Sequence, residues 1–375
     1  MKNSDLDRSI SKWDLNSNSM AFVTLNKKKL AFNFEYLNKL FSKNNIQWAV
    51  VSKLLCGNKM FLEELLKLDI KQVCDSRLSN LKNIKSINPK IETIYIKPPP
   101  RRAIKGIVEF ADISLNTQLE TIVLLSNEAV KQNKIHKVII MIEMGELREG
   151  VMRDYLIEFY SKVFNLPNIE IVGIGTNFAC LYGVLPNPDK FIQLSLYKEL
   201  IEAKFLKKIP LVSGGSSVAI PLLLNRTIPT GINHFRIGET LFLGTNVYNS
   251  DSFSFLKNDV FRLYAEIIEL IEKPTMPSGE MGHNVEGNSY DFDHSKAGDT
   301  SYRAIVDLGL LDVDERHISP INKDISFAGA SSDMLVIDLK DNNRRYKVGD
   351  LLEFKMDYMG TLRILNSKYI DKKVV

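Results

Sequence analysis

A TIM-like (β/α)8 barrel followed by a mainly β domain is the architecture the sequence predicts, and three observations predict it. Between residues 45 and 245, short β-branched runs alternate with longer stretches whose apolar residues recur at three- and four-residue steps, as in repeated parallel strand and crossover helix units. Eight such runs in roughly 200 residues match the lower size limit of a barrel of this kind. Beyond residue 245 the alternation gives way to strand-like runs separated by turn-rich stretches. An open doubly wound sheet is the alternative, but it normally carries a glycine-rich dinucleotide loop after its first strand, and none follows Lys53 in that form.

Taken in order, the polar residues 1–20 read as an arm without regular structure, and Ala21-Phe-Val-Thr-Leu-Asn26 as a strand preceding the barrel. The barrel strands are expected at 47–53, 71–75, 93–97, 112–116, 137–143, 170–176, 210–214 and 234–243. Helical periodicity fills intervening stretches such as 58–68, 117–132, 153–164 and 190–207. These elements predict a barrel domain over 21–245 and a β domain over 246–375. In the latter a helical pattern over 255–263 fades into strands expected at 263–271, 302–307, 334–340 and 351–357. The stretch 277–300, rich in Gly, Asn, Asp, Ser and His, reads as a loop long enough to be functional or mobile.

Composition narrows the function. With 45% hydrophobic and 25% charged residues, the 375-residue chain has the make-up of a globular protein with a substantial core. The net charge of +4 is spread without a sustained basic block, so nucleic acid is not an expected partner. No apolar run approaches the roughly 18 residues that span a bilayer, and the first twenty residues lack a signal-peptide core; the expected location is cytoplasmic, without a membrane partner. Three distant cysteines, Cys56, Cys74 and Cys180, read as reduced thiols. The five histidines show no pair at ligand spacing on one helix face, so no metal is expected in catalysis.

Residues just beyond barrel strand ends are where chemistry collects. Lys53 closes the apolar run Gln47-Trp-Ala-Val-Val-Ser-Lys53, and an amine desolvated at a strand rim can lose its proton and condense with an aldehyde cofactor. After the fifth strand comes Met144-Gly-Glu-Leu-Arg148-Glu-Gly, and after the sixth Thr176-Asn177. After the seventh, Ser213-Gly-Gly-Ser216-Ser217 offers hydroxyls and backbone N–H groups suited to a phosphate; taken alone, such a run is an ordinary turn. The eighth contains Arg236-Ile-Gly238-Glu239. At strand ends, Arg148 suits a carboxylate clamp and Arg236 a donor to a ring nitrogen.

In that order these residues resemble the fold type III pyridoxal-phosphate enzymes of the alanine racemase superfamily, and within it the ornithine racemase-like branch. The resemblance covers residues 21–375. It runs through Ala49-Val-Val-Ser-Lys53-Leu-Leu-Cys56-Gly57, Asp75-Ser-Arg77, Gly145-Glu-Leu-Arg148-Glu-Gly150, Gly173-Ile-Gly-Thr-Asn177, Ser213-Gly-Gly, Gly231-Ile-Asn-His-Phe-Arg236-Ile-Gly-Glu239 and Gly329-Ala-Ser-Ser-Asp333. It implies that Lys53 binds pyridoxal 5'-phosphate covalently and acts as acid and base. It also implies that Ser216 and Ser217, with backbone at Gly238 and Glu239, hold the phosphate, that Arg236 faces the pyridine nitrogen, and that Arg148 and Asn177 lie near the cofactor. Decarboxylases of this fold place a carboxylate where Arg236 stands, so the arginine favours a racemase interconverting L and D amino acids. A homodimer with shared active sites is implied as well.

Four departures from alanine racemase bear on mechanism. The family's second acid/base is a tyrosine in Gly-Tyr-Ala-Asp; the corresponding stretch here is Gly309-Leu310-Leu311-Asp312. Candidates to replace it are His283, Asp333 and Tyr369. Met141 stands where some relatives have a carbamylated lysine, Asn177 where they have histidine, and Cys56 near a cofactor-contacting tyrosine. These changes argue that the substrate is not handled as alanine is, and the resemblance to the ornithine racemase-like branch, which shows similar departures, implies a larger, basic substrate such as ornithine. Its ammonium would need a carboxylate; Glu146, Glu149 and Glu239 are candidates by proximity in sequence, the first two reading equally as a solvated face. An alanine racemase-like enzyme of other specificity, a decarboxylase or eliminating lyase, and a non-catalytic pyridoxal-phosphate carrier are the competing readings.

Overall fold

The computed structural model describes residues 21–284, 287, 289, 291 and 298–375, so the expected arm at 1–20 lies outside the described residues, as does His294. The chain forms two compact units: Lys27–Val260, and a second in which the described residues up to Asn26 join Phe261–Val375.

In the first unit eight parallel strands close a barrel: β2 (Gln47–Val51), β3 (Gln72–Asp75), β4 (Glu92–Tyr95), β5 (Ile113–Asn116), β6 (His136–Met141), β7 (Ile169–Gly175), β8 (Leu211–Ser213) and β9 (His234–Ile237). The ring closes where β9 returns to β2, with Gln47 opposite His234 and Ala49 opposite Arg236. Alternate residues point inward, and Ala49, Val51, Cys74, Ile94, Leu115 and Ile139 belong to one buried core cluster. Helices cover the outside. Lys27–Lys43 buries Leu30, Phe34, Leu37 and Phe41 at steps of four and three, each side chain contributing about 1.5–3 kcal/mol by leaving water.

Three expectations change here. The eighth strand, expected over 234–243, ends at Ile237, and Glu239–Leu243 is a short helix; Leu241-Phe242-Leu243 is a buried apolar run that periodicity cannot assign to strand or helix. The helix expected over 255–263 does not form. Residues 255–260 are turn and bend, and they lead into a strand starting at Phe261. Residues 246–260 also belong with the barrel unit: buried Asn33 donates to Leu241 O at 3.0 Å and Lys257 O at 2.8 Å and accepts from Lys257 N at 2.8 Å. Tyr36 stacks on Phe255 at 4.7 Å between ring centroids.

The second unit is an antiparallel sheet with one parallel edge. Its strands are β1 (Ala21–Leu25), β12 (Phe261–Pro274), β13 (Thr300–Val306), β14 (Ile318–Pro320), β15 (Ser326–Ala330), β16 (Leu335–Asp338), β17 (Leu351–Met356) and β18 (Asp371–Val374); β10 (Thr245–Asn246) and β11 (Asp251–Ser252) form a separate small ladder in the first unit. Strand β1 was expected to lead into the barrel. It pairs instead antiparallel with β12 and parallel with β18, so all five of its buried residues serve the β unit.

Candidate active site

The turn after β2 is built around a buried carboxylate. Strand β2 stops at Val51, and Ser52–Leu55 forms a single 3-10 turn, so Lys53 sits on a turn rather than on the strand. Ser52 Oγ donates to Asp75 Oδ2 at 2.8 Å and to Cys74 O at 3.1 Å, while Asp75 Oδ1 accepts from Arg77 N at 2.9 Å and Asn80 Nδ2 at 3.0 Å. Burial raises the Asp75 pKa, and those hydrogen bonds pull against it. Lys53 itself is exposed, which corrects the expectation that this chain's barrel rim desolvates it.

On the opposite side of β2 stands Arg236, 4% exposed, on β9. It donates from Nη1 to Ser213 Oγ and from Nη2 to Thr176 O at 2.8 Å, so the ends of β7 and β8 hold it through neutral oxygens. Burial lowers its pKa from the ordinary arginine value, yet guanidinium stays protonated in water-accessible ranges of pH. Beneath it, His234 is fully buried and bridges Ser213 Oγ, 2.8 Å from Nδ1, and Gln72 Oε1, 3.1 Å from Nε2. Burial first, and the Arg236 charge next, lower the His234 pKa to about 3.

Beside Arg236 two short helices begin, Ser217–Ala219 and Glu239–Leu243, and neither start is capped by its own side chain. They meet where Thr240 N donates to Ser217 Oγ at 3.3 Å. A Cβ added at Gly238 would stand 3.0 Å from Val51 O, so this glycine lets the helix start lie against the strand that leads to Lys53. Ser216 and Glu239 are half-buried, and Glu239 Oε1 accepts from Thr245 Oγ1 at 3.1 Å.

The loops after β6 and β7 are tied together by Glu146. Its buried carboxylate accepts backbone N–H groups from Ala179 at 3.2 Å, Cys180 at 2.7 Å, Tyr182 at 3.0 Å and Val184 at 3.0 Å, and also from Leu181. Burial pushes its pKa up, and the amides of Leu181, Cys180, Tyr182 and Val184 more than offset this, leaving it below the ordinary glutamate value. Glu146 is thus an anchor for a loop and not a free substrate carboxylate. Glu149 is likewise engaged, accepting from both Nε and Nη2 of exposed Arg148. Asn177 is half-buried and donates to Cys180 Sγ at 2.9 Å, and Met141 is buried inside the barrel.

In the β unit, the two motifs that sequence places apart are adjacent. Leu310 N donates to Ser331 O at 3.0 Å and Leu311 N to Ser332 O at 2.9 Å. Asp333 is exposed and accepts from Ser332 Oγ at 2.8 Å. His283 is exposed in a loop with Ser289 Oγ 3.0 Å from its Nδ1, and Tyr369 is 74% exposed. Sequence reasoning passed over the pairing of His317 Nδ1 with Asp357 Oδ2 at 2.8 Å, and over the buried His234 and Gln72. The one legible signal for His234 was its place two residues before Arg236, on the same face of a strand.

Among the described residues no group of three His, Cys, Asp or Glu side chains is placed to hold a metal, and no helix is long and apolar enough to cross a membrane. The family model for the N-terminal domain of alanine racemase matches residues 25–246. The ornithine racemase of Acetoanaerobium sticklandii is 35% identical over 354 residues, which is 94% of this chain and 99% of that protein. The lysine racemase of Thermotoga maritima is 32% identical over 350 residues, 93% of this chain and 97% of its own. Among solved structures, the alanine racemase of Bartonella henselae with covalently bound pyridoxal phosphate superposes with a TM-score of 0.70 at 15% identity, covering 95% of this chain and 100% of that one; at this identity the likeness speaks to fold.

Proposed function

The chain belongs to the alanine racemase family, and from that premise we propose that it is a pyridoxal 5'-phosphate-dependent amino-acid racemase whose substrate is a basic amino acid such as ornithine or lysine. Supporting the substrate class are the two full-length relatives named ornithine racemase and lysine racemase. The observation that carries the mechanism is the buried Arg236, a permanent cation held by neutral oxygens.

The residues fit that cofactor. Two short helix starts with no cap from their own N-cap side chains meet at Ser217, and Gly238 lets the second lie against Val51, so Ser216 and Ser217 with backbone at Gly238 and Glu239 would hold the phosphate. Arg236 would face the ring nitrogen, and the amine of Lys53, on the turn beyond the strand paired with β9, would join the aldehyde. Bound there, the cofactor supplies an electron sink that acidifies the substrate α-carbon. Once the substrate amine had displaced it from the aldehyde, Lys53 Nζ would take the α-proton from, or deliver one to, a single face of the α-carbon. Arg236 cannot readily give a proton to the ring, and a ring left unprotonated is a shallower sink that favours return of a proton over loss of carboxylate. Arg148 and Asn177, on the loops after β6 and β7, would face the cofactor or the substrate carboxylate.

Racemisation needs a second proton carrier on the other face. Asp333, exposed beside the Gly309-Leu310-Leu311 segment, and the loop residue His283 are the candidates of the β unit, which we assign to the site of a second subunit in a homodimer. The test incubates the protein and cofactor with single L-amino acids in deuterated water. Deuterium at Cα with formation of the D enantiomer, greatest for ornithine or lysine, supports the proposal. Release of amine without carboxylate replaces it with decarboxylation, and bound cofactor with neither outcome replaces it with a carrier.

A further inference from the structure

A polar seam runs from half-exposed Lys137 and Glu92 into the buried interior of the barrel. Lys137 lies 3.4 Å from Glu92 Oε1, Gln72 Nε2 donates to Glu92 Oε2 at 2.5 Å, His234 bridges Gln72 and Ser213, and Ser213 Oγ meets Arg236. Barrel interiors are ordinarily filled by layers of branched apolar side chains, so hydrogen-bonded polar residues at successive levels are an exception that must be satisfied throughout. Room for it comes from β2: between Gln72 on β3 and His234 on β9, the intervening strand contributes the small Ala49 at the level of Arg236.

Each proton in the seam has one place. Because the Gln72 amide N–H donates to Glu92, its Oε1 faces His234 and can only accept. His234 therefore donates from Nε2, and in the neutral ring Nδ1 is bare. Nδ1 takes the Ser213 hydroxyl proton, which turns the serine lone pairs toward Arg236 Nη1. A second cation at His234 would face the Arg236 charge with both side chains buried.

We infer that Ser213, His234 and Gln72 are positioning residues for Arg236: they orient its guanidinium at the barrel mouth by holding His234 as the Nε2–H tautomer. The inference rests on the reading of Arg236 as the partner of the cofactor ring for its functional meaning, though the orientation itself is a property of the chain alone. Thr176 O holds the second guanidinium nitrogen, so loss of the seam frees one edge of Arg236 and leaves the other attached.

The experiment uses the full chain, selectively labelled with 15N-histidine and 15N-arginine and free of cofactor. The expected spectrum shows His234 with Nε2 protonated and Nδ1 bare, and slowly exchanging Arg236 Nη protons. Ser213→Ala, which removes one oxygen, should abolish that slow exchange. His234→Asn keeps an acceptor near Nδ1 and should preserve it, whereas His234→Leu should not. Titration with pyridoxal 5'-phosphate, followed by absorbance, should show binding weakened about tenfold or more in Ser213→Ala and His234→Leu and a displaced absorption band, as expected for losing a hydrogen bond to a charged group. An Nδ1–H or doubly protonated His234 overturns the inference. So does Ser213→Ala with unchanged Arg236 exchange, or Asn and Leu variants that behave alike. If the wild-type chain binds no cofactor at all, the proposed function fails while the tautomer and exchange data still decide the inference; if His234→Leu does not fold, Ser213→Ala and the wild-type spectrum decide it.

Discussion

Ser52 Oγ and Asp75 Oδ2 lie 2.8 Å apart, so the residue immediately before Lys53 is tied to the end of the neighbouring strand. The turn that presents the reactive amine is thereby fixed from outside its own segment. In Asp75→Ala, the donors Ser52 Oγ, Arg77 N and Asn80 Nδ2 lose their shared acceptor in a buried setting. The expected cost is about 2–3 kcal/mol of stability, read as a lower urea midpoint, with reduced borohydride-trapped cofactor at Lys53. An unchanged midpoint together with full trapping would show that the turn holds itself.

Glu146→Gln should release the loop over residues 179–184, because an amide in place of the carboxylate turns an N–H toward backbone N–H groups. Faster cleavage within that loop by a low dose of protease is the expected signature. Catalytic efficiency should fall about tenfold to a hundredfold through misplacement of the neighbouring Asn177. Intact chain after the same digestion would remove Glu146 from its anchoring role.

Acid sensitivity should come from two neutral histidines. Burial lowers the pKa of His136 to about 4 and of His234 to about 3, while in the unfolded chain both sit near 6.5. Below pH 6.5 the unfolded state binds protons that the folded state refuses, so stability is complete above that pH and falls as pH drops toward 4. Each histidine contributes a slope of about 1.4 kcal/mol per pH unit in that window. Urea midpoints between pH 4.5 and 6 measure it, and His136→Gln should flatten the slope by about half; a wild-type midpoint constant over the range would contradict both assignments.

Gly309→Ala tests the junction of the two β-unit motifs. An added Cβ would stand 2.4 Å from Ser332 O and from Asp333 C, both backbone atoms that cannot swing aside. Overpacking of this kind costs about 1–3 kcal/mol. The expected result is a lower melting temperature and loss of racemisation, with the far-UV signature of the barrel retained.

The barrel was legible because each parallel strand is a short β-branched run with helical periodicity on either side, and Lys53, Ser217 and Arg236 follow from its strand ends. What could not be read depends on partners distant in the chain. Strand β1 looks like any apolar run until β12 and β18 pair with it, and Asn33 gives no hint that it will hold Lys257. The sequence around Glu146 suggests a solvated carboxylate or a substrate-facing one, and not a loop anchor, because its five amide donors lie more than thirty residues away. The seam from Gln72 to His234 spans 162 positions and leaves no local pattern.

Because β1 pairs with strands at the far end of the polypeptide, the barrel unit is an insertion between the first strand of a sheet and all its partners. On the ribosome, that five-residue apolar strand emerges before Lys27–Val260 has been translated, which at about 5–20 residues per second is a wait of tens of seconds. The nascent chain therefore carries an unmatched β edge throughout synthesis of its larger half, and heterologous yield should respond to slower growth or added chaperone.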